Sequence, residues 1–157
     1  MDGPAFDEGE LFARIADSGA RVLLIGRRAL VALGLPLLTA DYDLWSHPDD
    51  FELLNAALVP LGLSPSCPPQ VARAQGRYVL ENDEHIDVLV ARAMQTVDGE
   101  RVAFDALWQR RRSLRFDDQT TIAVPAISDL ILTKRCGGRE RDLADLRMLE
   151  LLQREDA

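Results

Sequence analysis

Two aspartates alternate with larger residues in the segment Asp41-Tyr42-Asp43-Leu44. Alternate side chains of a β-strand lie on one face, so a strand here would put both carboxylates on the same side, with Cα atoms about 7 Å apart. Two such acids repel each other, and burying them is costly unless something neutralises them. A divalent cation is the simplest neutraliser because hard ions take oxygen ligands. The alternative is a solvated strand end or a helix-capping acid.

A third acid, Asp87, lies inside the apolar run Ile86-Asp87-Val88-Leu89-Val90. Aspartate is depleted in strands and is rarely buried without a partner. If this strand pairs beside the first, Asp87 can face the same ions as Asp41 and Asp43. If it does not, Asp87 is a hairpin-end residue that is hydrogen-bonded to a turn.

The segment Leu24-Ile25-Gly26-Arg27 reads as a strand that is followed at once by glycine and a helix. Such a junction points backbone N–H groups towards any nearby anion. The junction is common in proteins, so by itself it indicates a phosphate site only weakly.

Composition limits the classes of protein that are compatible with these motifs. The 157 residues suit one domain, expected over 1–157, and 47% apolar with 28% charged residues exclude a disordered chain. The net charge of −8 is opposite to that of a general nucleic-acid binder. The longest apolar run, 29–40, is interrupted and too short to cross a bilayer. An acidic N-terminus and only two distant cysteines predict a reduced, cytoplasmic protein.

Apolar periodicity and turn residues predict an α+β domain with about five strands and five or six helices. Strands are predicted over 21–25, 41–45, 77–80, 85–91 and 120–124, the third and fourth forming a hairpin. Helices are predicted over 6–18, 27–33, 48–59, 103–114, 127–136 and 139–153. The proline-rich stretch 60–70 is predicted to be a loop.

Together the three motifs resemble the nucleotidyltransferase superfamily, which includes DNA polymerase beta, the aminoglycoside nucleotidyltransferases and the minimal nucleotidyltransferases of toxin–antitoxin systems. The family pattern is a hydrophobic residue, Gly, a small residue, a spacer, Asp-x-Asp and a distant strand Asp. Here it reads Ile25-Gly26-Arg27, Asp41-Tyr42-Asp43 and Asp87. A further likeness is to abortive-infection type members, through Val124-Pro125, Asp129-Leu130-Ile131, Lys134 and Arg141-Asp142-Leu143-Ala144-Asp145-Leu146. The resemblance covers residues 21–150, the expected core of the domain.

The resemblance implies a mixed sheet flanked by helices and metal-dependent transfer of a nucleoside monophosphate from an NTP to a hydroxyl of RNA, protein or a small molecule. Asp41 and Asp43 would hold Mg²⁺ or Mn²⁺ on the triphosphate. Asp87 would join them in holding a second ion and would help to activate the acceptor hydroxyl. Gly26 would lie under the β- and γ-phosphates, and Lys134 would contact the triphosphate. A two-ion clamp of this kind stabilises both the attacking and the leaving oxygens.

Arg27 departs from the family pattern, which has Gly or Ser at this position. An arginine here either clamps the phosphate from the side, as part of the nucleotide site, or blocks the pocket. Blocking leads to one alternative, a catalytically inactive antitoxin or regulatory partner with the same fold, for which a protein partner or a homodimer is expected. The second alternative is an RNA-binding module that uses the predicted helix carrying Arg110–Arg112 and Arg115.

Several other residues allow two interpretations. Trp45 either stacks on a base or packs in the core. His85 and Asp87 share a strand face and could bind zinc with an acid of the Asp-x-Asp segment, or His85 is a polar strand start. Two acids of the last predicted helix are interpreted as surface charges or as partners of nearby arginines: Asp142 and Asp145, beside Arg139 and Arg141.

Overall fold

A five-stranded sheet forms the centre of the fold in the computed structural model, which describes residues 6–137 and 140–156. In spatial order its strands are β1 (Val22–Ile25), β2 (Tyr42–Ser46), β5 (His85–Leu89), β4 (Arg77–Glu81) and β3 (Ser64–Pro65). β2 and β5 are parallel, and the other neighbouring pairs are antiparallel. The predicted mixed sheet and the predicted hairpin of β4 and β5 are therefore confirmed.

Helices and two small hairpins surround this sheet. The described residues form α1 (Glu8–Asp17), α2 (Gly26–Ala32), α3 (Phe51–Leu58), α4 (Pro69–Gln75), α5 (Phe104–Gln109), α6 (Ile127–Arg135) and α7 (Glu140–Asp156). One hairpin joins β6 (Ala93–Gln95) to β7 (Arg101–Ala103), and the other joins β8 (Arg112–Arg115) to β9 (Thr121–Val124). In residues 6–137 and 140–156, no helix is both long and apolar enough to cross a membrane.

Alternation along β2 divides the sheet into two faces. Tyr42 and Leu44 point into the larger core, which is shared with α1, α3 and α6. Trp45 points the other way and is buried with Leu23 in a smaller cluster under β7 and α5. Asp43 lies on this second face, two residues before Trp45. The second face is thus apolar at one end of β2 and acidic at the other.

The predicted helix over 103–114 is wrong in its second half. α5 ends at Gln109, and residues 112–115 instead form β8, which pairs with β9. The pairing brings Leu114 opposite Ile122, and Leu114 packs against the larger core, whereas Arg112 and Arg115 are exposed. The basic helical face that the RNA-binding alternative required therefore does not form.

The predicted loop over 60–70 is also wrong in part. The segment contains the end of a 3-10 helix (Val59–Leu61), the edge strand β3 and the start of α4. Proline suits the first position of α4, because the N–H that Pro69 lacks has no partner within a helix. The preceding helix, α3, begins at Phe51 instead of Pro48.

Candidate active site

A cavity of about 700 Å³ opens over the acidic end of the second sheet face. Asp41, Asp43 and Asp87 all line it. Asp43 and Asp87 are direct neighbours in the parallel register of β2 and β5, so their side chains lie on the same face. Asp41 directly precedes β2 and is exposed at the mouth. The structure thus places Asp87 at the same cavity as Asp41 and Asp43, although it lies far from them along the chain.

Gly26 forms the turn between β1 and α2 and lies against Asp43. Its φ is +69°, a left-handed conformation that favours glycine. A Cβ at this position would lie 2.5 Å from Asp43 Oδ2, too close for a real contact. Glycine is therefore required here both by the backbone and by the carboxylate beside it.

Four charged residues from α2, α6 and α7 form a network along one side of the cavity. Arg27 donates two hydrogen bonds to Asp145, both at 3.2 Å. Lys134 Nζ lies 2.8 Å from Asp145 Oδ2 and 3.4 Å from Asp142 Oδ1. Asp145 is fully buried, and Asp142 and Lys134 are nearly so, at 2% and 7% exposure. The interpretation of Asp142 and Asp145 as surface charges is therefore wrong. Their proposed partner Arg139, and the side chain of Arg141, lie outside the described residues.

The electrostatics of this network follow from its geometry. Burial opposes the charged form of Asp145, but hydrogen bonds from Arg27 and Lys134 outweigh burial and hold the pKa of Asp145 below its ordinary value. The same bond to Asp145 raises the pKa of Arg27. Arg27, Lys134 and Asp142 also line the cavity wall. The Arg27 guanidinium is thus bonded to the buried Asp145 of α7, and Arg27 also borders the cavity.

Arg28, which the sequence analysis did not single out, secures the segment that leads into β2. Its guanidinium donates to the carbonyl oxygens of Thr39 at 2.7 Å and Asp41 at 3.3 Å. It also lies 3.3 Å from Glu8 of α1 and 4.1 Å from the centre of the Tyr42 ring. The backbone that carries Asp41 is therefore attached to both α1 and α2. No periodic pattern would reveal such contacts, because they depend on the loop conformation.

Asp41, Asp43 and Asp87 do not form a complete metal-binding site by themselves. Within the described part of the chain, no group of three or more His, Cys, Asp or Glu side chains is close enough together to hold a metal ion. The predicted convergence of three carboxylates on shared ions is therefore not preassembled, and the zinc alternative with His85 lacks its ligand set. His85 instead lies 3.3 Å from Asp87 on the exposed side of β5.

The remaining sequence hypotheses concern aromatic and basic residues. Trp45 is fully buried and donates to the carbonyl of Ala91 at 2.8 Å, so it is a core residue and cannot stack on a base. The arginine run is divided among local partners: Arg110 pairs with Asp129, Arg111 stacks on Trp108, and Arg115 pairs with Asp118.

Comparisons with known proteins identify the fold. No protein-family model matches this chain, and no curated protein matches its sequence. Among solved structures, the antibiotic-resistance factor ANT(2'')-Ia is similar with a TM-score of 0.61 at 14% identity, over 90% of this chain and 79% of the other. TM1012 of Thermotoga maritima, assigned as a nucleotidyltransferase, is similar with a TM-score of 0.58 at 12% identity, over 93% and 88%. The fold is therefore nucleotidyltransferase-like, as the sequence resemblance implied.

Proposed function

We propose that this nucleotidyltransferase-like domain transfers a nucleoside monophosphate from an NTP to a hydroxyl acceptor. One observation carries the proposal: Asp43 and Asp87 are neighbours in register on the floor of a large open cavity, with the Gly26 turn packed against Asp43. Two carboxylates this close repel each other unless a cation lies between or beside them.

The donor set fits Mg²⁺ or Mn²⁺. Mg²⁺ is usually held by one or two carboxylates together with substrate phosphates, so a site that the nucleotide completes does not need three protein ligands. Asp43 and Asp87 would hold the ion or ions, with Asp41 at the mouth. The ions would supply charge compensation on the phosphate oxygens.

The chain's own groups would position the nucleotide. Because Gly26 has no side chain, the phosphates could approach its backbone closely on the β1 side of the carboxylates. Arg27 and Lys134 border the cavity from α2 and α6, where their charges would attract the triphosphate even while Asp145 holds them. The proposed acceptor is a hydroxyl group of RNA, protein or a small molecule.

The test is Asp43→Asn, assayed as pyrophosphate release from each of the four NTPs with Mg²⁺ and with total cellular RNA as the acceptor probe. We expect release to fall by at least about a hundredfold, because one of the two adjacent ion ligands loses its charge. Asp118→Asn is the matched control, since Asp118 is almost fully exposed and does not line the cavity. Normal turnover by Asp43→Asn would overturn the assignment of this carboxylate.

A second candidate is a catalytically inactive partner protein, such as an antitoxin or a regulatory subunit. One observation favours it: Arg27 and Lys134, the two cations expected to bind the triphosphate, are both held by Asp145. Calorimetry with Mg²⁺ and α,β-methylene-ATP separates the candidates. Absence of binding at millimolar nucleotide supports the inactive partner, and micromolar binding supports the enzyme.

A further inference from the structure

Arg77 is a cation of the cavity that the sequence motifs do not include. It is the first residue of β4, it is exposed, and it lines the cavity together with Asp43 and Asp87. In the antiparallel register of β4 and β5, Val79 lies opposite Asp87, and Arg77 lies opposite Leu89. Residues two apart share a face, so Arg77 is on the acidic face of the sheet.

Arg77 differs from the other two cations of the cavity in its bonding. Arg27 and Lys134 are both bound to the buried carboxylate of Asp145. Within residues 6–137 and 140–156, the Arg77 guanidinium has no side-chain hydrogen bond or ion pair, although four aspartates line the same cavity. Its donors therefore remain available to a ligand.

The strand order places Arg77 on a particular side of the carboxylates. The Gly26 turn follows β1, the carboxylates lie on β2 and β5, and Arg77 lies on β4. Gly26 and Arg77 are thus three strand spacings apart, about 14 Å across the sheet, with the acids between them. In phosphoryl transfer the attacking and leaving oxygens are roughly in line. A triphosphate on the Gly26 side therefore directs the acceptor to the β4 side.

The geometry points to Arg77 as the residue that binds an oxyanion of the acceptor, a phosphate or carboxylate near the attacking hydroxyl. The guanidinium fork matches both groups through two parallel hydrogen bonds. In the reaction, the acceptor oxygen bonds to the α-phosphorus and the bond from that phosphorus to the bridging oxygen breaks. Pyrophosphate leaves with the electron pair, and the hydroxyl proton passes to solvent. This inference rests on the proposed function and adds that the acceptor is anionic.

The experiment follows the Arg77 Nε–H signal by NMR while inorganic phosphate is titrated, with and without Mg²⁺ and α,β-methylene-ATP. A parallel titration with acetate distinguishes a phosphate site from a carboxylate site. The variants are Arg77→Gln, Arg77→Lys and the control Arg101→Gln, an exposed strand arginine outside the cavity lining. Thermal melts establish that each variant is folded.

We expect Arg77→Gln to weaken phosphate binding in the nucleotide-loaded protein at least tenfold, Arg77→Lys to lie between, and Arg101→Gln to match the wild type. Nucleotide affinity should change less than twofold. The inference is overturned if phosphate leaves the Arg77 signal unmoved, or if Arg77→Gln weakens the nucleotide instead of phosphate. If the nucleotide fails to bind the wild type while phosphate still moves the Arg77 signal, the proposed function fails but the anion site stands.

Discussion

Two groups of aspartates in this protein lie in different surroundings. The α7 acids, Asp142 and Asp145, are buried and bonded to cations of the chain itself. The sheet acids, Asp41, Asp43 and Asp87, lie on an open cavity, and two of them are neighbours of like charge. A buried acid with internal cations stabilises the fold, whereas adjacent acids open to solvent are suited to an external cation. The comparison separates the structural carboxylates from the proposed catalytic ones.

The largest expected effect comes from removing the charge of an α7 acid. Asp145→Asn would leave Arg27 and Lys134 without their shared carboxylate, and breaking a buried pair in this way costs about 3 kcal/mol of the free energy of unfolding. Urea denaturation measures it. Asp118→Asn, which removes an exposed partner of Arg115, should cost less than about 0.5 kcal/mol. Equal losses in the two variants would show that the network is not structural.

The pH dependence of stability also tests whether Asp145 has a structural role. The folded pKa of Asp145 is depressed below the unfolded value of about 3.9, so its contribution is complete above that value and is lost as the pH falls through the folded pKa. The stability difference between the wild type and Asp145→Asn should therefore be constant down to about pH 5 and narrow below about pH 4. Denaturation curves between pH 7 and pH 3 test this, and a difference that stays constant to pH 3 contradicts it.

A smaller effect is expected at the loop before β2, which carries Asp41. Arg28→Ala removes two hydrogen bonds to backbone carbonyls, each worth about 1 kcal/mol, so we expect a loss of about 2 kcal/mol. It should also weaken Mn²⁺ binding several-fold, because the backbone of Asp41 is no longer held. The control is Arg14→Ala, which removes only a surface pair with Glu10. Loss of stability with unchanged Mn²⁺ affinity would limit Arg28 to a structural role.

The sequence predicted four of the five strands of the sheet, all but the edge strand β3, and the position of the acids on them, because these follow local patterns. The alternation at Asp41-Tyr42-Asp43-Leu44 and the apolar run around Asp87 persist in the structure as strand and register. The buried role of Asp145 could not be predicted, since its partner Arg27 is 118 residues away. β8 has the pattern of a helix end because Leu114 is its only apolar residue, and it is the pairing with β9 that makes the segment a strand.

We propose that the sheet acids bind divalent cations together with the nucleotide. Electron paramagnetic resonance of free Mn²⁺, titrated in the presence of α,β-methylene-ATP, tests it directly in the wild type and in the Asp43→Asn, Asp87→Asn double variant. We predict saturable loss of the free Mn²⁺ signal with wild-type protein, and at least tenfold weaker binding in a double variant that remains fully folded. Equal Mn²⁺ binding by the two proteins would contradict the account.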